Sequence, residues 1–568
     1  MIKQTLISLF ILVITVTPIA QAQRRQNRQQ NQTREFKVNG IKYSVNNDNR
    51  SVRVSGSDVY ISNNDIVVIP ENVSYSGNIY KVTSISNYAF SGRGIKSVII
   101  PSTVTDIGIE AFMRNSLTSI EIPNSVISIG HDAFAECTHL YSVTIGNSLR
   151  KIGSDAFRDC TALRSITIPN SVIEIGEAAF RRCSALTSVS IPNSVIKIGN
   201  NAFSSCIGLT SLIIPNSVIE IGNNAFERCE ELTSINIGNS VRTIGWGAFE
   251  GCRELKSINI PNSVIEIGSN AFKGCCRLTS VVFGNSVTII GTEAFVGCER
   301  IYSISLPNSL KKILDGAFKS CNLKSVNLGN SIEVIGNNAF SGCSKLTSVI
   351  IPNSVIEIGS SAFHSCSGLT SITIPNSVIT IGDFAFCGCE NLTSLIIGNN
   401  VNKIGKMAFG GCKKISSAVI PKSVTKIGDC VFDECSSLHT LTWNVIKLKE
   451  SNEIGEKPSN NEYSRVFNGA PIERLILGEE VERIPNGIFY YCNIISVNIP
   501  NSVEEIGESS FSRSTLRSIT IPKSVKWIGD FAFYECHGLV SVKIPTEFAD
   551  EIERIFSGCE NLTNIQFY

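Results

Sequence analysis

This chain lacks a surplus of either charge. Fifty basic residues stand against 49 acidic ones, and charged residues make up 17% of the total, below the ~25% of ordinary soluble proteins. A net charge of +1 supplies no field to gather nucleic acid or an anionic membrane, so neither is expected as a partner. Histidine is scarce. His131, His139, His364, His439 and His537 fall in different stretches and assemble no metal set. No Ser-His-Asp set, glycine-rich phosphate loop or recurring carboxylate pair is present. No catalytic residue, metal site or cofactor is therefore expected. No cysteine precedes Cys137, which excludes a lipoprotein signal. After the first residues no apolar run is long enough for a transmembrane helix.

The N-terminus reads as an export leader, residues 1–22. Lys3 supplies a positive start, Leu6 to Val16 is nearly all apolar, and Ala20-Gln21-Ala22 has the small-x-small form of a cleavage site, with the cut expected after Ala22. Residues 23–34 are almost wholly Gln, Arg and Asn, a composition that predicts a disordered linker. Residues 35–84 differ again. Phe36 to Val45 alternates apolar and polar around Asn39-Gly40, the signature of a tight hairpin. This segment is expected to cap the apolar end of the rest of the chain.

Residues 85–568 are paced by phenylalanine. Twenty-one of them, from Phe90 to Phe556, recur at steps of 22 or 23 residues, with one step of 35 between Phe432 and Phe467. Such a period means stacked coils, not a globule. In the unit Leu209 to Cys229, Leu209, Leu212 and Ile214 have the spacing of a short strand. Pro215 ends it, because proline has no N–H to give. Asn216-Ser217 turns the chain, and Val218 and Ile221 point inward. Gly222 is expected to take a backbone conformation that other residues resist. Ala225, Phe226 and Cys229 are expected to close the coil through a short helical turn. The long step carries an insertion at about 445–464, of which Lys447 to Ser464 is polar and reads as an exposed specificity element.

The recurring L-x-x-I-x-I-P-x-x-V-x-x-I-G-x-x-A-F-x-x-C, as in Leu186 to Cys206 and Leu346 to Cys366, resembles the BspA-type (Treponema pallidum-type) leucine-rich repeats of microbial surface proteins. The resemblance covers about Ile85 to Tyr568. It implies a leucine-rich-repeat solenoid of about 21 coils, a right-handed superhelix with a parallel β-sheet on its concave side. It also implies adhesion or protein binding outside the cell, and no shared catalytic set.

Seventeen of the 20 cysteines, from Cys137 to Cys559, fall three residues after a pacing phenylalanine; Cys276, Cys387 and Cys430 do not. Small, weakly polar thiols suit a buried column. The parallel side-chain directions of stacked coils suit disulfide geometry poorly, and ligands strung along a line do not make a tetrahedral metal site. A parallel solenoid that cleaves polysaccharide needs clustered carboxylates on a sheet face. The outward strand-centre position instead carries small hydroxyls, amides and aliphatics, with charge only at Glu121 and Lys543. Asn236, Asn259, Ser305, Asn327 and Thr373 are the candidate binding residues on this strip. Trp246 and Trp527, standing where the repeat is usually polar, are candidate exposed anchors. Trp443 reads as an inward filler. These features predict a secreted or cell-surface, non-catalytic binding protein. Its expected role is adhesin-like attachment to host or neighbouring-cell proteins or glycans. A structural envelope spacer is the second reading, and a polysaccharide-active enzyme the third.

Overall fold

A computed structural model of the chain describes residues 35–57, 66–448, 466–467 and 470–568. The leader, the linker and all of the expected specificity element except Lys447 and Leu448 lie outside them. The chain divides into two units, residues 1–206 and 207–568. Each is a parallel β-solenoid.

In the first unit, Glu35–Val38 pairs antiparallel with Ile41–Val45. Asn39 (φ 49°) and Gly40 (φ 80°) supply the two left-handed residues of the turn, which is what a two-residue hairpin of this twist requires. Ile41–Val45 pairs with Ser51–Ser57, and that strand pairs in parallel with Asn78–Ile85. The same sheet continues into the short strands Asp106–Ile107 and Ser128–Ile129 of the first coils. Val52, Val54 and Val82 are fully buried beneath it.

One coil of the second unit shows how the repeat folds. Ser234–Asn236 is a strand whose outer residues are exposed. After the Asn239-Ser240 turn, Val241 and Ile244 point inward, and Thr243–Ile244 forms a second, two-residue strand. Ala248, Phe249, Cys252 and Leu255 then complete a core in which each is fully buried. Two parallel ladders therefore run through the coils where the repeat pattern predicted one. Strands of the first kind pair as in Ser257–Asn259 with Ser280–Val282. Strands of the second kind, Glu220–Ile221 through Lys426–Ile427, make an unbroken run.

The third side of the coil is not helical. Among the described residues the helices are Thr546–Glu551, a 3-10 helix, and Ile552–Ile555. Each Ala-Phe-x-x-Cys segment is a chain of tight turns, with left-handed residues two before and two after the phenylalanine, such as Asn224 (φ 54°) and Arg228 (φ 55°). A left-handed residue cannot continue a right-handed helix. The turns bond to the next coil instead: the N–H groups of Gly247, Phe249 and Gly251 donate to the carbonyls of Ser269, Ala271 and Lys273 at 2.7–2.8 Å. Backbone groups that a globule would satisfy within its own elements are satisfied here by neighbouring coils on all three sides.

The glycine after the second strand acts differently from expectation. Gly245 and Gly268 are absent from the left-handed region, which Asn224 and Asn270 occupy. A Cβ on Gly268 would stand 2.7 Å from the carbonyl carbon of Gly245 and 2.8 Å from the backbone nitrogen of Trp246. Glycine is required there by the close approach of neighbouring backbones.

The phenylalanines form a stack. Phe249, Phe272 and Phe295 are fully buried, with ring centroids 5.4 and 5.2 Å apart and planes within 11°. The cysteine column does more than fill space. The thiol of Cys275 donates to the carbonyl of Phe249 in the coil before, at 3.3 Å, and Cys298 does the same to Phe272 at 3.2 Å. Each such carbonyl also accepts the cysteine N–H of its own coil, as Phe272 does from Cys275. Where asparagine replaces cysteine, Asn115 Nδ2 donates to the Phe90 carbonyl at 2.8 Å. The column thus holds a side-chain donor aimed at a buried acceptor.

Burial pushes the Cys252 and Cys343 thiols up to about 12, which suppresses the thiolate that alkylating agents attack. Cys276 is exposed. Brief iodoacetamide treatment of the folded chain at about pH 8, read by peptide mapping, is expected to modify Cys276 first. The buried cysteines should react only after unfolding; their reacting at the Cys276 rate would contradict a buried column.

Candidate binding surface

The strip of outward residues lies on the first sheet. Because side chains alternate across a strand, Ser303 and Ser305 face outward together while Ile304 is buried. The register of one coil on the next puts like positions side by side: Ser303 opposite Ser325, and Ser305 opposite Asn327. Two columns result. The strand-centre column holds the candidate amides and hydroxyls. The strand-start column is serine in coil after coil, at Ser234, Ser257, Ser280, Ser303, Ser325, Ser348, Ser371 and Ser394, all exposed. Sequence reasoning missed this second column because it scored only the strand centre; the recurring serine two residues earlier was the available signal.

Five of the candidates lie on strands of this first kind, spread over four short groups of paired strands. Asn327 Nδ2 donates to Ser305 Oγ at 3.3 Å, and Ser325 Oγ to Ser303 Oγ at 3.0 Å, so Ser305 and Asn327 are brought together. Asn236 and Asn259 occupy successive coils but belong to different ladder pairs, with Ile213 and Val282 as their partners. Thr373 faces Ile396. The two tryptophans are elsewhere. Trp246 follows Gly245 at the end of a second-sheet strand; it is 46% exposed, and its backbone N–H donates to Asn223 Oδ1 at 2.9 Å. Trp527 opens the second-sheet strand Trp527–Ile528 opposite Glu505 and is 45% exposed. Neither joins the strip. Trp443 is fully buried, edge-on to Phe467 and Phe489.

The strongest charge cluster lies on the turn side of the first unit. Arg158 reaches Asp132, Asp155 and Asp159 at 2.9–3.0 Å and Glu136 at 3.5 Å. Burial and the nearby Asp132 raise the Asp155 carboxyl above its ordinary range, although Arg158 and His131 work against them. One guanidinium shared by four carboxylates ties two neighbouring coils together; the carboxylates are engaged by it and are poorly placed to act as acid and base. Among the described residues no group of three or more His, Cys, Asp or Glu is placed to hold a metal ion.

Coils of this construction match a model of the BspA type leucine rich repeat region, in six copies, over residues 71–186, 150–275, 265–378, 356–455 and 462–568. The chain belongs to the BspA-type leucine-rich repeat family. It is similar to a leucine-rich repeat protein from Bacteroides ovatus ATCC 8483, at 24% identity over 94% of this chain and 99% of that one, with a TM-score of 0.43. A leucine rich cell surface protein from Faecalibacterium prausnitzii A2-165 is 21% identical, with 94% of each chain covered and a TM-score of 0.30. The leucine rich repeat protein of T. pallidum is 24% identical over 47% of this chain and 91% of its own, with a TM-score of 0.22. No curated protein matches. By the family match the chain is a BspA-type repeat protein. Among its described residues no helix is long and apolar enough to cross a membrane.

Proposed function

We propose that this BspA-type protein works outside the cell as a non-catalytic, adhesin-like binding protein, and that the first sheet is its ligand-facing surface. One observation carries the reading: exposed serine, amide and aliphatic side chains repeat in register from coil to coil with almost no charge among them. A surface of that kind offers many weak contacts along one direction, which suits a long macromolecular ligand. The export leader and the hairpin cap of residues 35–84 belong to the same proposal. The test is binding of the chain from Gln23 onward to immobilised matrix proteins, cell-surface proteins and glycans. Saturable binding to at least one of them is expected. No binding across the panel would contradict adhesion.

The spacer reading draws on a different observation. Ile-Pro-Asn-Ser-Val-Ile-Glu-Ile-Gly recurs unchanged from Ile168, Ile214, Ile260 and Ile351, as amplification for length alone would produce. Deleting internal coils separates the two, because a spacer tolerates the loss and a localised binding site does not.

A further inference from the structure

First-sheet strands of the second unit pair in short groups of two to four, and one of the breaks between groups falls between Ser348–Val349 and Ser371–Thr373. The step from Phe318 to Phe340 is 22 residues, and a single residue, Asn322, separates Cys321 from Leu323. At the end of that coil's strand the backbone turns differently. Gly329 is left-handed, at φ +69°, and its N–H donates to Asn327 Oδ1 at 3.1 Å. Gly238, Gly284 and Gly398, at the same place in other coils, are not left-handed and press against the preceding proline backbone. The next strand, Ser348–Val349, stops after two residues, and Ile350 stands 85% exposed beyond it.

Two depressions open around this step. One, of about 790 Å³, lies between Asn327–Asn330 and Ile350–Ser354. The other, of about 630 Å³, lies over Thr373 towards Ile396 and Asn399. Ile350, Ile351 and Asn353 line both. Each volume is in the range of small-molecule sites, about 300–1,000 Å³. Asn353 is exposed, and the sequence of the next coil decides its chemistry. Asn376, Asn262 and Asn216 each accept the N–H of an asparagine in a following Gly-Asn coil. The coil after Asn353 carries Pro375-Asn376 instead, and the Asn353 amide is uncommitted among the described residues.

We infer that these two depressions, joined over Ile350, form a subsite for a neutral oligosaccharide; this rests on the reading of the first sheet as a binding surface. Neither depression is lined by a charged side chain or an aromatic ring. That lining fits an uncharged ligand and gives an acidic glycan no cation to pair with. Protein interfaces draw their energy from buried Tyr, Trp and Arg, which are missing here. Sugar hydroxyls both donate and accept, and so do the Asn353 amide and the Thr373 hydroxyl. Ile350 offers an aliphatic surface to the C–H face of a pyranose ring. A ligand crossing from strand to strand advances by about 4.8 Å per coil, so the paired depressions span a few sugar units.

The test uses the full chain from Gln23 onward and a panel of neutral glucan, mannan and galactan oligosaccharides, with uronic-acid glycans and matrix proteins as comparators. Three variants are measured beside it: Ile350→Glu, Asn353→Ala and Ile213→Glu. Ile213 is 68% exposed on the same kind of strand but lies outside both depressions. Saturable binding of a neutral oligosaccharide is expected, weakened about tenfold or more in I350E and N353A. I213E should bind like the parent chain, and all should share one melting temperature; if I350E unfolds, N353A decides. Neutral binding that I213E loses as much as I350E, or that I350E and N353A both keep, overturns the subsite. Protein binding without neutral-glycan binding overturns the inference and leaves the surface-binding reading standing. No binding of either class overturns both.

Discussion

Replacing Phe272 by alanine is expected to cost about 3–5 kcal/mol, the range for emptying a large buried aromatic site. Phe272 is fully buried and stacked on both sides, by Phe249 and Phe295. A globule with one core would pass such a loss to the whole domain. In a stack where each coil touches its neighbours, the loss falls on the coils beside the hole. Urea unfolding should therefore show an earlier transition, and amide exchange should speed up most between Phe249 and Phe295. Phe272→Leu, which keeps most of the apolar volume, should lose less. Exchange that rises evenly along the chain, or a cost under about 1 kcal/mol, would contradict a load-sharing aromatic stack.

Gly268→Ala is expected to destabilise by about 2–3 kcal/mol despite adding a single methyl group. The new Cβ would meet backbone atoms of the preceding coil at 2.7–2.8 Å, and backbone locked in two ladders has little room to move. Asn270→Gly makes the contrasting case. Asn270 sits at φ 57°, where glycine is at least as comfortable, so the change should stay within about 1 kcal/mol after the extra freedom of the unfolded chain is counted. Thermal unfolding of the two variants side by side distinguishes close approach from backbone conformation as the reason for the recurrent glycine. Comparable stability of G268A and the parent chain would remove close approach.

Most of the coil was legible because its columns repeat. Phenylalanine at a fixed step announced the stack, and Leu209, Leu212 and Ile214 marked the first strand. The second ladder was not legible. Its strands, such as Glu220–Ile221, are two residues long, too short for alternation to register; they exist because the neighbouring coil supplies the partner. The glycine was noticed but given the wrong reason, since sequence does not distinguish a residue needed for its own φ from one needed for its neighbour's space. The turns read as helical because Ala-Phe-x-x-Cys has helical spacing, and the left-handed residues that break it are as varied as Asn224, Glu293 and Met407. The donor role of the cysteines needed coordinates as well, for it links residues 25 or 26 apart, as in Cys137 to Phe112 and Cys275 to Phe249. Of the candidate site, the strip was legible, whereas the depressions around Ile350 depend on how successive coils sit against one another, which the sequence of one repeat does not spell out.

The most direct test of the account is amide hydrogen exchange of the full chain with and without a ligand captured from the panel. The prediction is added protection in first-sheet strands and their turns, centred on Ser325–Asn327 and Ser371–Thr373. Second-sheet strands such as Glu357–Ile358 should show no change. Protection confined to the second sheet, or to the Ala-Phe turns, would contradict the first sheet as the ligand-facing surface.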